Sequence, residues 1–431
     1  MDPAGSEPIR DGQVGIEDST IGFVSGSGDL PPDWRPDRVI DATGGLLLPG
    51  LVNAHTHAAM TLVRGYGDDL DLHHWLNEKI FPVEDRLTGE DVYWATLLAS
   101  AEMIRAGITC FADMYFFMED TARAVEESGM RASLSRGLSA GNAERGLREN
   151  RELIARWNGA ADGRITVMLG PHAIYTCPPA LMAQVLDLAG EEGAGIHIHI
   201  AETRKEFEDC LARHGVTPVQ LLKRLGLFEH HVLAAHCVHV TPEDIEILSK
   251  LRGGVAHNPM SNLKLASGVA PLAAMEEKGV PLALGTDGAS SSNTLDLFEA
   301  MRHASYSQKA ATMNSSAFPA PRVLEMATTG GAKALGLEDR IGRVAPGMKA
   351  DLVILALDRP NLCPVHDPYP AVAYAARPEN VDTVIIGGRV VMEHRQLKTI
   401  DEERVIHEVS RRAGSLVAPA GETWPSSRCI R

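Results

Sequence analysis

Histidine and aspartate recur at the ends of apolar runs throughout this 431-residue sequence. The run Leu51–Ala54 leads into His55-Thr56-His57. In a β-strand, residues i and i+2 share a face, so both imidazoles would converge on one point. Two neutral imidazoles suit a borderline-soft divalent cation such as zinc. A His-x-His pair is also common on protein surfaces, so the weight rests on the polar residues that end the later runs. These are Pro171-His172, His197-Ile-His199-Ile-Ala-Glu202, His236-Cys-Val-His239, His257-Asn-Pro and Thr286-Asp287-Gly288. Singly, each would pass as a hydrogen-bonded core histidine or a capping aspartate. Jointly they point to one shared site.

The elements that must position these groups can be read from the same runs. Short apolar segments occur at Leu51–Ala54, Ile108–Asp113, Ala132–Leu138, Ile165–Gly170, Gly195–Ile200, Val232–Ala235, Gly254–Ala256 and Pro281–Gly285. Helical patterns separate them. In Thr88–Arg105, Thr88 and Asp91 resemble a capping box, and Val92, Ala95, Ala99 and Met103 recur at helical spacing. Pro178–Ala189 and Pro242–Leu251 read similarly. Alternating strands and helices imply a parallel sheet, and this number of units closes a TIM-type (β/α)8 barrel, whose reacting groups sit at the C-terminal strand ends. An open doubly wound sheet is the alternative, and no Gly-x-Gly-x-x-Gly follows the first strand to favour its dinucleotide-binding form. Both ends of the chain read as short strands: Gln13–Glu17, Thr20–Val24 and Arg38–Ile40, then Leu352–Leu357 and a hairpin Val381–Ile386, Gly387-Gly388, Arg389–Met392. The expected organisation is a small β-sandwich domain formed by both termini (residues 1–48 and 342–431) around a catalytic barrel (49–341).

Composition narrows the function classes. Apolar content of 44% and charged content of 23% are ordinary globular usage, and a net charge of −16 disfavours nucleic acid as a partner. The six cysteines (110, 177, 210, 237, 363 and 429) form no Cys-x-x-Cys pair or secreted disulfide pattern. Met1–Asp11 has no apolar signal core, and no run is long enough to span a membrane. A cytoplasmic, membrane-free protein is expected.

Leu48-Pro-Gly-Leu-Val-Asn-Ala-His-Thr-His57 resembles the opening signature of the amidohydrolase superfamily. Pro171-His-Ala-Ile-Tyr-Thr-Cys177, His199-Ile-Ala-Glu-Thr203, Ala235-His-Cys-Val-His239, His257-Asn-Pro-Met-Ser-Asn262, Gly285-Thr-Asp-Gly288 and Gly347-Met-Lys-Ala-Asp-Leu-Val353 carry the likeness across nearly the whole chain. It is similar in particular to the methylthioadenosine/S-adenosylhomocysteine deaminases. The resemblance implies one divalent ion held by His55, His57, His199 and Asp287, with zinc first and Fe2+, Co2+ or Mn2+ also compatible. Dinuclear relatives use a lysine after strand four, and none lies between Arg164 and Thr176. Such an ion lowers the pKa of a bound water. The implied roles are Glu202 as general base then acid, Asp287 holding the other side of the attacking oxygen, and His236 as its hydrogen-bond donor. His239 and His197 are poorer ligand candidates, and His257 reads as structural.

The implied reaction replaces the 6-amino group of 5′-methylthioadenosine, S-adenosylhomocysteine, 5′-deoxyadenosine or adenosine, giving the inosine form and ammonia, as in purine salvage. Trp75 would pack on the base or an apolar 5′ substituent, and Glu84 would accept from the ribose diol. Their alternatives are a core aromatic and a solvated charge. Arg136 and His172 would contact purine or ribose, Arg148 the same or an amino-acid carboxylate, and Ser291 would add a polar contact. The Ser290–Ser292 tract departs from the relatives' more usual Ala-Ser-Asn. The alternative activity is an aminohydrolase or chlorohydrolase of free bases or s-triazines, guanine deaminase-like or triazine hydrolase-like, with no ribose for Glu84. A non-catalytic scaffold would have lost a ligand or the acid. The relatives are usually homodimers or homotetramers.

Overall fold

The computed structural model describes residues 1, 7–26, 31–32 and 34–417. Cys429 and the rest of residues 418–431 lie outside the described residues, as does part of the expected Gly26-Ser27-Gly28 turn. Strands β1 (Gln13–Glu17), β2 (Thr20–Ser25) and β3 (Gly45–Pro49) precede the barrel. Its strands are β4 (Leu51–Thr56), β5 (Ile108–Tyr115), β6 (Arg131–Leu138), β7 (Ile165–Pro171), β8 (Gly195–Ile200), β9 (His231–His236), β10 (Arg252–His257) and β11 (Leu282–Leu284). They pair in sequence order, all parallel, in a single sheet. The sheet curls into a nearly closed barrel, and at the seam the Asp287 N–H donates to the His55 carbonyl at 3.0 Å.

The barrel forms because its strands are buried on both faces, inner and helix-covered, and so read as continuous apolar runs. All eight residues of β5 and of β6 are buried. The helix Gly89–Arg105 starts at the expected cap: Asp91 N–H donates to Thr88 Oγ1 at 3.3 Å, and Thr88 N–H to Asp91 Oδ2 at 2.9 Å. Its stripe Val92, Ala95, Ala99 and Met103 is fully buried. Among the described residues no helix is long and apolar enough to cross a membrane.

After the barrel come β12 (Leu352–Ala356), β13 (Val381–Ile386), β14 (Arg389–Glu393) and β15 (Gln396–Leu397). They form an antiparallel sheet in the order β15-β14-β13-β12-β3, so one strand from before the barrel completes a sheet made after it. The β1–β2 hairpin covers one side, with Ile21 packed among Val344, Ala350, Leu352 and Ile385. The expected strand at Arg38–Ile40 is absent, and the strand at this place in the order is β3. Leu46-Leu47-Leu48 carries the apolar content that pairs with Val353, Ile354 and Leu355 of β12, whereas Val39 is 78% exposed. Pro49-Gly50 splits this strand from β4, and Gly50 is required there because a Cβ would fall 2.0 Å from Thr109 Oγ1.

A buried ion pair ties the sheet to the barrel floor. Arg131 donates to Asp351 through Nε (2.7 Å) and Nη2 (3.0 Å), and the Gly387 N–H donates to the same carboxylate at 2.7 Å. The Asp351 carbonyl accepts from Gly50 N–H at 2.9 Å, directly ahead of β4.

Candidate metal centre and active site

The histidines and acids gather at the C-terminal mouth of the barrel, where the strand ends point. His55 is buried near the end of β4, and His57 follows it on the same face. Asn53 stitches this strand to the far side of the seam, donating to Thr286 Oγ1 (2.8 Å) and accepting from Thr286 N–H (2.9 Å). Thr56 Oγ1 donates to the Asp287 carbonyl at 2.9 Å. Asp287 has φ +61°, in the left-handed region that Asp tolerates better than most residues, and its Oδ1 accepts from Gly288 N–H at 2.8 Å. Gly288 leaves room for this turn, since a Cβ there would lie 2.7 Å from Met60 Sδ.

Three imidazole nitrogens and one carboxylate converge. Asp287 Oδ1 lies 3.4 Å from His55 Nε2 and 3.3 Å from His57 Nε2, and His199 Nε2 lies 3.3 Å from His57 Nε2. One ligand atom from each of His55, His57 and His199 falls within a 4.8 Å cluster, as it does for His55, His236 and Asp287. His57 Nδ1 donates to the Met114 carbonyl (2.6 Å) and His199 Nδ1 to the His172 carbonyl (2.8 Å), so each turns its Nε2 to the centre. His55 Nε2 is buried with no hydrogen-bond partner. An orphaned buried nitrogen beside two others and a carboxylate fits a divalent cation, and the described chain offers a four-donor set of nitrogen and oxygen.

The electrostatics agree. Burial holds His55 down at about 4 and His199 well below the usual imidazole range, so both stay neutral ligands. Burial opposes charge on His57 and Asp287 too, but their mutual contact outweighs it, raising His57 and holding Asp287 well below the usual carboxylate range. The carboxylate that holds a proton on His57 would equally favour a metal cation.

Glu202 lies 6% exposed beyond β8, where Ala201 takes φ +50° and Glu206 accepts from the Ala201 and Glu202 N–H groups at 3.0 and 2.8 Å. Burial raises its carboxyl above the usual range, and His236 Nε2 stands 3.9 Å away. His236, at φ +73°, donates from Nδ1 to Asn262 Oδ1 at 2.8 Å. Its neutral ring therefore meets the centre with an accepting Nε2. His239 turns away to the Ser267 carbonyl at 2.7 Å. Both ring nitrogens of His257 are buried and unpartnered. His197 sits fully buried beneath His199, with Nε2 2.7 Å from His55 Nδ1.

A cavity of about 1150 Å³ opens over these groups. Trp75, Glu84, Arg136, His172 and Ser291 line it together with His57, His199, Glu202, His236 and Asp287. Trp75 begins a π-helical turn, Trp75–Ile80, and is 5% exposed with a buried, unpartnered Nε1. Glu84 follows in the turn Phe81–Glu84, and burial lifts its carboxyl to about 7. Arg136 Nε donates to Glu149 Oε2 at 2.6 Å. Ser291 Oγ donates to the Gly288 carbonyl at 3.0 Å. Arg148 is not among the lining residues: it is exposed on the helix Ala143–Trp157. Arg145 and Glu149 of that helix stand there instead. Sequence reasoning also passed over Asn262 and Asp113, whose Oδ1 accepts from Ala58 N–H at 2.8 Å and fixes the chain just after His57. Both stood in runs already singled out, so only their partners were lacking. The cysteines at 110, 177, 210, 237 and 363 are all free thiols.

Comparison with known proteins agrees with this architecture. A 5-methylthioadenosine/S-adenosylhomocysteine deaminase of Pelotomaculum thermopropionicum is 54% identical over 410 residues, covering 95% of this chain and 94% of the relative. The enzyme of that name from Moorella thermoacetica is 50% identical, covering 95% and 96%. A zinc-bound adenosine deaminase structure from Xanthomonas campestris superposes with a TM-score of 0.91 at 35% identity, covering 94% of each chain. An atrazine chlorohydrolase from Arthrobacter aurescens, at 23% identity and a TM-score of 0.86 over 93% and 94% of the two chains, shares the fold. Residues 46–391 match the amidohydrolase family, and with these relatives the chain belongs to it.

Proposed function

We propose that this protein is a metal-dependent hydrolytic deaminase that converts the 6-amino group of adenosine analogues to the inosine form and releases ammonia. The observation that carries the reading is the convergence of His55, His57, His199 and Asp287 at the floor of a cavity whose wall holds Glu202, His236, Trp75 and Glu84. The four-donor set would hold one divalent ion per subunit, zinc being the best match to three imidazoles and one carboxylate. When bound, such an ion supplies an acidified water at neutral pH.

The remaining work falls to side chains. Glu202, buried and with a raised pKa, takes the proton from the attacking water and delivers it to the ring nitrogen next to the amino-bearing carbon. Asp287 Oδ1, within the same cluster, accepts from the other side of the attacking oxygen. His236 faces that oxygen through Nε2, accepting while neutral and donating once protonated, because its Nδ1–H is committed to Asn262. Proton transfer to the amino group of the tetrahedral adduct expels ammonia. Glu84 accepts from the ribose diol, Trp75 packs on the base or 5′ group, and Arg136, His172 and Ser291 complete the substrate wall. Arg148, exposed outside the cavity, would meet only a long, charged 5′ arm that reaches beyond it.

The division into 1–48, 49–341 and 342–431, a homodimeric or homotetrameric state, a cytoplasmic location and a place in purine salvage belong to the same reading. The test is a panel of 5′-substituted adenosines, adenosine, guanine and an s-triazine on metal-replete enzyme, followed by absorbance change and ammonia release. Turnover confined to guanine or the triazine would refute it.

A further inference from the structure

The three imidazoles of the centre are not held alike. His57 and His199 each point Nδ1 at a backbone carbonyl, Met114 at 2.6 Å and His172 at 2.8 Å. A carbonyl can only accept, so both rings keep a proton on Nδ1 and leave Nε2 as the nitrogen that can take the ion. His55 Nδ1 instead meets another imidazole, His197 Nε2, at 2.7 Å. That partner can donate or accept. His197 is fully buried, and an uncompensated charge there would be costly, so the two rings share one N–H between them.

The shared proton has two places. On His197 Nε2, it forces the His55 proton onto Nε2, aimed at Asp287 Oδ1 3.4 Å away and closing that ligand position. On His55 Nδ1, it leaves His55 Nε2 bare and moves the His197 proton to Nδ1. Ser135 Oγ waits there at 3.3 Å and can accept it. Only the second arrangement is competent to hold a metal, and Ser135 Oγ, which can accept as well as donate, leaves the His197 Nδ1–H satisfied in it.

We propose that His197, oriented by Ser135, is the positioning residue that keeps His55 in its metal-binding tautomer. It touches neither substrate nor ion, and it acts through His55 alone. A partner of this kind behind a ligating histidine contributes roughly 10- to 100-fold to metal affinity. The inference rests on the metal centre proposed above, and zinc binding to the unaltered protein tests that premise separately.

The experiment is competition for zinc against a chromophoric chelator, on the full-length protein with its fold checked by circular dichroism. His197→Phe keeps ring volume and removes the acceptor, and should weaken zinc binding roughly 10- to 100-fold. His197→Gln restores an acceptor near the Nε2 position and should recover most of that loss, with kcat at saturating zinc close to the unaltered enzyme. Ser135→Ala, which removes one oxygen atom, should weaken zinc binding by a smaller factor. If the unaltered protein binds no zinc, the metal centre itself fails. If it binds zinc and folded His197→Phe binds it equally tightly, the tautomer relay is overturned. Should His197→Phe not fold, unchanged affinity in folded His197→Leu, which also lacks an acceptor, overturns it.

Discussion

Replacing Asp351 by asparagine should destabilise the protein by about 3–5 kcal/mol, the range for breaking a buried ion pair from one side. The carboxylate is 2% exposed and accepts three hydrogen bonds, two from Arg131 and one from the Gly387 N–H. Asparagine keeps the shape and one acceptor oxygen. It leaves the Arg131 guanidinium, also 2% exposed, with only neutral acceptors, the one amide oxygen and the Gly163 carbonyl at 3.2 Å. The loss is therefore dominated by an uncompensated buried cation rather than by a missing contact. The companion Arg131→Met/Asp351→Leu removes both charges and orphans the Gly387 N–H, a deficit of about 1–3 kcal/mol. It should therefore be less damaging than Asp351→Asn. Urea unfolding followed by circular dichroism, with slopes compared to confirm equal exposed surface, measures both. Because the pair lies at the opposite end of the barrel from His55, zinc affinity of the folded variant should be unaltered. A loss under about 1 kcal/mol for Asp351→Asn, or a double variant worse than the single one, would refute the reasoning.

Other perturbations address the site. Glu202→Gln should lower kcat by about 10²–10⁴-fold while zinc content stays stoichiometric, checked by steady-state kinetics beside elemental analysis. Glu84 titrates at about 7, raised by burial, and only its ionised form offers two acceptors to a diol. KM for nucleosides should thus fall as pH rises through about 7, and Glu84→Gln should flatten that dependence while sparing any free-base activity. Metal binding must displace the proton that Asp287 holds on His57, which titrates at about 9 in the metal-free protein. Apparent zinc affinity should therefore climb with pH up to about 9 and then level, as read by chelator competition across a pH series. Prolonged chelation should abolish turnover, and zinc should restore it.

The barrel was legible because its strands are buried on both faces, which leaves uninterrupted apolar runs bounded by turns. The ends were harder. Arg38–Ile40 carries the β-branched residues of a strand, yet Gly45–Pro49 is the one that pairs, because the partner β12 lies some three hundred residues away in the chain and no local pattern announces it. The pair His55 and His57 was legible from strand period, whereas His199 and Asp287 entered the expected donor set through the family resemblance. What spacing could not convey is the direction of each ring. Asn262 behind His236, Met114 behind His57 and His197 behind His55 become visible only when strands from distant parts of the chain are side by side. Arg148 stands exposed on the helix Ala143–Trp157, outside the cavity, a placement that only the packing of that helix on the barrel makes visible.

The seam where Asp287 N–H meets the His55 carbonyl joins the first barrel strand to the segment after the last. The donors proposed for the ion thus come from opposite ends of a long stretch of chain, and no partial barrel brings them together. During synthesis or refolding, tight loading of the ion must wait until the final strand docks, since contacts so distant in sequence form late. Zinc uptake would then serve as a completion signal for the whole barrel, and fragments ending before Gly285 would remain unable to capture the ion tightly however well their earlier strands had assembled.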